Sequence, residues 1–182
     1  MVIWIIGLAG SGKTVIGREL YKLIKSTHPN TVFVDGDDIR AIFKHDRVEG
    51  DYSIASRRKN AERICEMCAW LDRQGINVVC SILSIFEDSR KWNRRTYSEY
   101  FEVFIDVYME VLKARDQKGL YSGALAGDIK NVVGFDIPFE APSSPDIVID
   151  NSKESDDFSG MAAKIYEKYR SRFKDPKNSG RG

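Results

Sequence analysis

The residues GLAGSGKT, at positions 7–14, have types and spacing that suit the binding of a phosphate chain. They match G-x-x-x-x-G-K-[ST] directly after the apolar run VIWII and before an amphipathic segment. The glycines let successive backbone N–H groups point at one anion, and the dipole of the following helix favours negative charge there. Lys13 would reach the β- and γ-phosphates of ATP, and the Thr14 hydroxyl would hold Mg²⁺. The loop residues predicted to bind ATP are Gly7, Ala9, Gly10, Ser11, Gly12, Lys13 and Thr14.

A second polar stretch, DGDDIR at 35–40, follows the apolar run TVFVD. The carboxylates of Asp35, Asp37 and Asp38 could bind Mg²⁺ beside Thr14 or take the proton of an acceptor hydroxyl, the latter a role worth about 10²- to 10⁴-fold in rate. Arg40 suits an anionic acceptor because its planar guanidinium can grip phosphate at two points. The alternative is that Asp37 and Asp38 only cap a helix.

A bound nucleotide can serve hydrolysis, sensing or phosphoryl transfer. A GTPase switch needs D-x-x-G after a strand and N-K-x-D; the apparent D-x-x-G, Asp72 to Gly75, falls at a predicted helix end, and N-K-x-D is absent. A motor-type ATPase is usually a longer chain. A non-catalytic ATP-binding sensor would not need the carboxylates and arginine at 35–40. The motifs therefore favour a kinase, with the sensor as the alternative of another class.

The composition indicates an ordinary globular chain. Its 182 residues predict one domain, at 1–173, followed by a disordered tail at 174–182. A formal charge of +1 gives no reason to expect a nucleic-acid partner. No apolar run approaches the ~20 residues of a membrane span, and the apolar start at 1–6 is too short for a signal peptide. We therefore expect a cytoplasmic protein without a membrane partner.

The elements that must position these residues form an alternating pattern. Continuous apolar runs predict five buried strands, at 2–6, 31–35, 76–83, 102–106 and 146–150. Helical patterns lie between them, including a helix that ends at His28-Pro29-Asn30 and one at 53–74. The pattern predicts an α/β fold with a doubly wound parallel sheet, helices on both faces, and ligands beyond the carboxyl ends of the strands. Residues 115–145 mix Gly, Pro and charge, which predicts a mobile lid with one short helix.

Two further groups of residues have competing interpretations. Cys65 and Cys68 form a C-x-x-C, but positions 61, 64, 65, 68 and 71 are all apolar, which favours core packing over a zinc or redox site. Trp92, Tyr97 and Tyr100 are predicted to be core residues. The alternative is an exposed helical face that forms a homodimer.

Four motifs give the chain a close resemblance to the adenylylsulfate kinases, a family of P-loop kinases. They are GLAGSGKT, DGDDIR, RDQKGLY at 115–121 and GFDIPFEAP at 134–142, and the resemblance covers about residues 2–150. The resemblance implies a P-loop kinase fold with a lid over the active site. It also implies transfer of phosphate from Mg-ATP to the ribose 3′-hydroxyl of adenosine 5′-phosphosulfate.

The resemblance also assigns roles to single residues. It implies that Arg115 lies against the ATP base and that Lys118 approaches the phosphates from the lid. It also implies that Asp37, the second acid of the family's DGD, is the base or a carboxylate on the metal side. The predicted catalytic residues are therefore Lys13, Asp37 and Lys118, and the predicted metal ligands are Thr14 and Asp35. In the stretch matching the family's D-R-x-x-N, Ser56 replaces the acid, and Ile85 replaces the proline that follows the family's serine. The residues implied to bind the acceptor are Asp35, Asp37, Arg40, Tyr52, Arg57, Asn60, Ser84, Lys118 and Val132.

The departures from the family pattern surround the acceptor base. The family places a phenylalanine on each face of the adenine, whereas this chain has Tyr52, after a loop about three residues longer, and Val132. Loss of one stacking face, worth roughly 1–3 kcal/mol, favours a smaller base. VIWIIGLAGSGKT, DIRAIF and NVVCSILSIF resemble the branch that acts on cytidine diphosphoramidate in capsular phosphoramidate biosynthesis. The alternative is an adenylylsulfate kinase of sulfate assimilation in which these differences are neutral.

Overall fold

A five-stranded parallel sheet forms the centre of the computed structural model, which describes residues 1–43, 52–116, 119–153 and 156–173. The strands are β1 (Val2–Ile6), β2 (Thr31–Asp35), β3 (Asn77–Ile82), β4 (Tyr100–Asp106) and β5 (Ile147–Asp150). Their order across the sheet is β2-β3-β1-β4-β5, and each neighbouring pair is parallel. The five predicted strands are confirmed, with ends within two residues of the prediction.

Helices connect the strands and cover both faces of the sheet. They are α1 (Lys13–Thr27), α2 (Gly36–Ile42), α3 (Ile54–Arg73), α4 (Glu87–Thr96), α5 (Met109–Arg115), α6 (Leu120–Ala126) and α7 (Phe158–Phe173). The backbone N–H of His28 closes α1 on the carbonyl of Ile24, and Gly75 follows α3 with a positive φ. The predicted doubly wound α/β fold is confirmed.

The strand sequences are uninterrupted apolar runs because the side chains on both faces of the sheet are buried. In β1, Ile3 and Ile5 pack into a cluster with α1, α5, α6 and α7, whereas Val2, Trp4 and Ile6 pack into a second cluster with α2, α3 and α4. Period-2 alternation sends neighbouring side chains to opposite faces, and here both faces are covered. Because the five strands are parallel, their carboxyl ends lie together at one edge of the sheet.

The aromatic and cysteine residues lie in the second cluster. Tyr97 is 6% exposed and lies with its ring 6.5 Å from that of Trp4. Tyr100, which lies in β4 rather than on a helix, is 4% exposed. The core assignment of these two rings is confirmed, and they do not form the exposed homodimer face that was the alternative. Trp92 is partly buried against the same cluster, with its ring centre 6.0 Å from that of Tyr97. Cys65 and Cys68 are buried in the same cluster, which confirms core packing.

Part of the predicted lid at 115–145 has regular structure. It contains α6, and an isolated bridge joins Val133 to Ile137. Its mobility stays a prediction. Lys118, the longer loop before Tyr52 and the tail at 174–182 fall outside the described residues. In the portions of the chain that the structure describes, no helix combines the length and apolar character needed to cross a lipid bilayer.

Candidate active site

A pocket of about 1090 Å³ lies at the carboxyl edge of the sheet, above β1, β2 and β3. Ligands of open α/β sheets bind at this edge, because loops and helix N-termini converge there. The predicted site residues that line the pocket are Ala9, Gly10, Gly12, Lys13, Thr14, Asp35, Asp37, Arg40, Tyr52, Arg57, Asn60, Arg115 and Val132. Residues distant in sequence are therefore brought to one cavity.

The phosphate loop needs its glycines for conformation and for space. Gly10 and Gly12 have φ values of 77° and 88°, in the left-handed region that side chains other than glycine rarely adopt. A Cβ on Gly12 would lie 2.8 Å from Nδ2 of Asn151, and one on Gly7 would meet the Ser11 side chain. Gly7 and Ser11 belong to the loop but do not line the pocket, and Ser11 is buried at 1% exposure.

The start of α1 is tied to the neighbouring strands. The Ser81 hydroxyl at the end of β3 donates to the Lys13 carbonyl over 3.1 Å. The Lys13 ammonium donates to the Leu8 carbonyl over 3.4 Å, across the mouth of the loop. Because α1 begins at Lys13, its first backbone N–H groups and its positive dipole end face the same pocket. The arrangement suits the phosphates of a nucleotide.

Asp35 connects the phosphate loop to the second polar stretch. One of its carboxylate oxygens accepts from the Thr14 hydroxyl over 2.8 Å, and the other accepts from the Asp37 backbone N–H over 2.9 Å. The second bond makes Asp35 the N-cap of α2. Asp37 and Asp38 follow the N-cap in the first turn of α2, where both residues are exposed, and the roles of their carboxylates stay predictions.

The pair of Thr14 and Asp35 fits a magnesium site of the nucleotide-bound kind. Mg²⁺ prefers oxygen ligands, and in such sites protein supplies one or two while phosphate and water supply the rest. A hydroxyl and a carboxylate within hydrogen-bonding distance match this donor set. Among the residues that the structure describes, no group of three or more His, Cys, Asp or Glu side chains could hold a metal by itself.

Two arginines and a tyrosine form the other half of the pocket. The guanidinium groups of Arg40 and Arg57 lie 4.9 Å and 5.3 Å from the centre of the Tyr52 ring. Arg57 also donates from Nε to the Tyr52 carbonyl over 2.9 Å and from Nη2 to the Asn131 carbonyl over 2.8 Å. Arg57 therefore joins the segment before α3 to the lid segment. Asn131 accommodates this contact with a φ of 63°.

The electrostatics of this half favour an anion. Burial lowers the pKa of Arg57, and the positive charge of Arg40 lowers it further, whereas the negative charge of Asp37 acts in the opposite direction. Arg40 is only 8% exposed and donates to the Ser56 hydroxyl over 3.2 Å. Two guanidinium groups that interact at one end of the pocket favour an anionic ligand there.

Three further predicted acceptor residues differ in their access to the pocket. Asn60 is buried and donates to the Gly36 carbonyl over 3.4 Å, while its Oδ1 has no hydrogen-bond partner among the residues that the structure describes. Val132 lines the pocket but is 2% exposed and packs into the core, so little of its side chain reaches a ligand. Ser84 is 4% exposed, lies outside the pocket lining, and its carbonyl accepts from Arg90.

Some residues at the site are not among those predicted from the sequence. Asn151 follows β5 and donates to the Ser11 carbonyl, and the Tyr121 hydroxyl donates to the Ala9 carbonyl. Asn151 directly follows the run DIVID, so its place at the end of a strand was the signal that could have found it. Tyr121 ends RDQKGLY, but its contact with the loop depends on tertiary structure. Arg115 donates to the Asn151 carbonyl over 2.8 Å, and its contact with an ATP base stays a prediction.

The family model described as Adenylylsulphate kinase matches residues 1–150 of the chain. The chain belongs to the adenylylsulfate kinase family. Cytidine diphosphoramidate kinase of Campylobacter jejuni is 40% identical over 151 residues, which cover 83% of this chain and 86% of that protein. Adenylyl-sulfate kinase of Marinobacter nauticus is 35% identical, and the match covers 86% of this chain and 78% of that protein.

A solved structure in the same family has the same fold. The APS kinase of Mycobacterium tuberculosis, in complex with AMPPNP and APS, superposes with a TM-score of 0.81 at 26% identity, covering 92% of this chain and 95% of that one. The family, the P-loop fold and the pocket together make this kinase an ATP-using phosphotransferase. The predicted kinase activity is confirmed, and the sensor alternative is not favoured.

Proposed function

We propose that this kinase transfers the γ-phosphoryl group of Mg-ATP to the ribose 3′-hydroxyl of cytidine diphosphoramidate, a step of capsular phosphoramidate biosynthesis. The observation that carries the proposal is the 40% identity to the Campylobacter jejuni kinase of that name. The pocket supports the proposal: Tyr52 is 41% exposed and can offer an aromatic ring to a base, whereas the Val132 side chain is almost fully buried. A pyrimidine has less stacking surface than a purine, so a single aromatic face suits it.

The phosphate loop and the residues next to it bind Mg-ATP in this proposal. Lys13 and the loop amides bind the phosphates, and Arg115 lies against the base. Thr14 and Asp35, 2.8 Å apart, hold Mg²⁺. The ion held there would supply neutralisation of phosphate charge during the transfer. The protein then contributes mainly position and electrostatic stabilisation.

The acceptor half falls to α2, α3 and the lid. Asp37 lies exposed on the pocket wall and accepts the proton of the attacking hydroxyl. Arg40 and Arg57 bind the anionic diphosphoramidate, and Oδ1 of Asn60, which has no partner within the described part of the chain, accepts a hydrogen bond from the acceptor. Lys118 lies outside the described residues, and we assign it to the transferred group on the family resemblance alone.

The cellular setting is part of the proposal. ATP is supplied in the cytoplasm, and we place the kinase there. The homodimer stays a prediction, which gel filtration coupled to light scattering tests.

The test is an ADP-release assay on the full chain with Mg-ATP and one acceptor at a time. Cytidine diphosphoramidate, adenylylsulfate and no acceptor form the three arms, and the Lys13→Met variant is the inactive control. We expect kcat/KM for cytidine diphosphoramidate to exceed that for adenylylsulfate by about tenfold or more, because one base–aromatic contact is worth about 1–3 kcal/mol. Mass spectrometry of the product should show one added phosphoryl group.

Each other result excludes the proposal in a different way. A preference for adenylylsulfate would assign the chain to the activity named for the Marinobacter nauticus relative. Equal ADP release with no acceptor would indicate an ATPase. If NMR shows phosphate at a position other than the ribose 3′-hydroxyl, the proposed acceptor stands and the proposed site of phosphorylation is refuted.

A further inference from the structure

Two carbonyls of the phosphate loop each accept a hydrogen bond from a side chain that is distant in sequence. The Tyr121 hydroxyl, on α6, donates to the Ala9 carbonyl over 3.1 Å. Nδ2 of Asn151, directly after β5, donates to the Ser11 carbonyl over 2.9 Å. Tyr121 and Asn151 are each 2% exposed, and the Asn151 bond is buried whereas the Tyr121 bond is partly buried, so water competes little with these donors.

The geometry of the peptide bond converts these contacts into control of the loop N–H groups. A trans peptide is planar, so the carbonyl of one residue and the N–H of the next point in opposite directions. Fixing the Ala9 carbonyl therefore fixes the Gly10 N–H, and fixing the Ser11 carbonyl fixes the Gly12 N–H. Both glycines line the pocket at positive φ, where a glycine backbone rotates freely unless something holds it.

We propose that Tyr121 and Asn151 are positioning residues, which hold the Gly10 and Gly12 N–H groups toward the phosphates of ATP by binding the preceding carbonyls on the opposite side. Both act through the loop carbonyls; Tyr121 lies outside the pocket lining, whereas Asn151 is one of the lining residues. The inference rests on ATP as the donor in the proposed function and is independent of the acceptor.

The two donors are themselves fixed. The Asn151 backbone N–H donates to the Asp106 carbonyl over 2.9 Å, and its carbonyl accepts from Arg115 over 2.8 Å. The Asp116 carboxylate accepts from the Tyr121 backbone N–H over 2.9 Å, at the start of α6. Burial raises the pKa of Tyr121 to about 12, so its hydroxyl keeps the proton that it donates at neutral pH. Preorganised N–H groups bind an anion without a further ordering step.

The test measures the Kd for ATP by calorimetry, without any acceptor, in Tyr121→Phe and Asn151→Asp. Two matched controls remove the same donor groups elsewhere: Tyr169→Phe, whose hydroxyl donates to Glu99 over 2.6 Å, and Asn30→Asp, whose Nδ2 donates to the Gly75 carbonyl over 3.0 Å. Neither control residue lines the pocket.

We expect Tyr121→Phe to raise the Kd about fivefold, because one lost neutral hydrogen bond lowers the fraction of the loop in the binding conformation. Asn151→Asp should raise it more than tenfold, since its carboxylate faces the Ser11 carbonyl and adds negative charge near the phosphates. The controls should stay within twofold. The KM of the preferred acceptor should be unchanged in Tyr121→Phe, a separation that a general loss of packing would not produce.

An unchanged Kd in Tyr121→Phe would overturn the inference for Tyr121, and an unchanged Kd in folded Asn151→Asp would overturn it for Asn151. An equal rise in the controls would overturn it for both, because the effect would then come from general destabilisation. Melting temperatures identify a variant that does not fold, in which case Asn151→Ser replaces Asn151→Asp. Failure of the acceptor assay leaves these ATP affinities unaffected, so the two proposals fail separately.

Discussion

Replacing Arg57 with lysine tests how the acceptor pocket is assembled. The arginine joins two segments by two hydrogen bonds, to the Tyr52 carbonyl over 2.9 Å and to the Asn131 carbonyl over 2.8 Å. A lysine ammonium is a compact donor without the planar fork, so it cannot reproduce both directions. Arg57→Lys should therefore separate Tyr52 from the lid segment while retaining the positive charge.

The magnitude follows from the two bonds. A hydrogen bond with one charged partner is worth about 1.5–3 kcal/mol, and the Arg57 side chain is partly exposed, so water replaces part of what is lost. Taking about 2 kcal/mol for the pair, the KM for the acceptor should rise about 30-fold. The Kd for ATP should change less than twofold, since Arg57 contacts neither the phosphate loop nor the Thr14–Asp35 pair.

The assay is ADP release at saturating Mg-ATP over a range of the preferred acceptor, with the Kd for ATP measured separately. Arg58→Lys is the matched control, because Arg58 is the next residue on α3 and pairs instead with Asp88 over 2.6 Å and with the Phe86 ring. It should leave both constants within twofold. If the KM of Arg57→Lys equals that of Arg58→Lys, the joining role of Arg57 is refuted.

Three other substitutions test separate parts of the site. Asp37→Asn should lower kcat by about 10²- to 10⁴-fold with an unchanged Kd for ATP; a kcat near that of the native protein would exclude Asp37 as the base. Gly12→Ala should cost about 1–2 kcal/mol of stability in thermal melts and weaken ATP binding, because its φ is 88° and Asn151 leaves no room. Hydrogen bonds, of which that from the Ser122 side chain has the largest effect, hold the pKa of Asp116 below its ordinary value. The stabilisation of α6 by the Asp116 carboxylate is therefore present above about pH 4 and is lost as the pH falls through the lowered pKa. Hydrogen exchange in α6 should show this loss in the native protein, and Asp116→Asn should show no such step.

The phosphate side of the site could be predicted because its signals are local. GLAGSGKT is one continuous segment between a strand and a helix, and the apolar run before it ends where the loop begins. Asp35 likewise ends its strand, and the register that pairs Asp35 with Ser81 aligns the strand ends at one edge. Spacing and periodicity alone place such residues, because neighbours in sequence remain neighbours in space.

The sequence identified most residues of the acceptor side but not the positions and contacts of their side chains. The resemblance identified Arg57 and Val132, yet their environments depend on contacts across the chain: Arg57 bonds to Asn131, 74 residues away, and Val132 packs into the core. Ser84 was predicted on the acceptor wall, but its side chain lies outside the pocket lining. A motif identifies a residue type without specifying which face of its backbone segment turns inward.

By itself, the sequence determined the five buried strands, the phosphate loop and the acidic stretch at the end of β2, because each depends on short-range periodicity and on glycine at defined positions. Only the tertiary structure decided which side chains hold that loop. Tyr121 and Asn151 reach its carbonyls across 112 and 140 residues of chain. Such contacts arise from the order of strands in the sheet and the packing of helices against it, and no local pattern encodes a hydrogen bond between groups that only the folded chain brings within 3 Å.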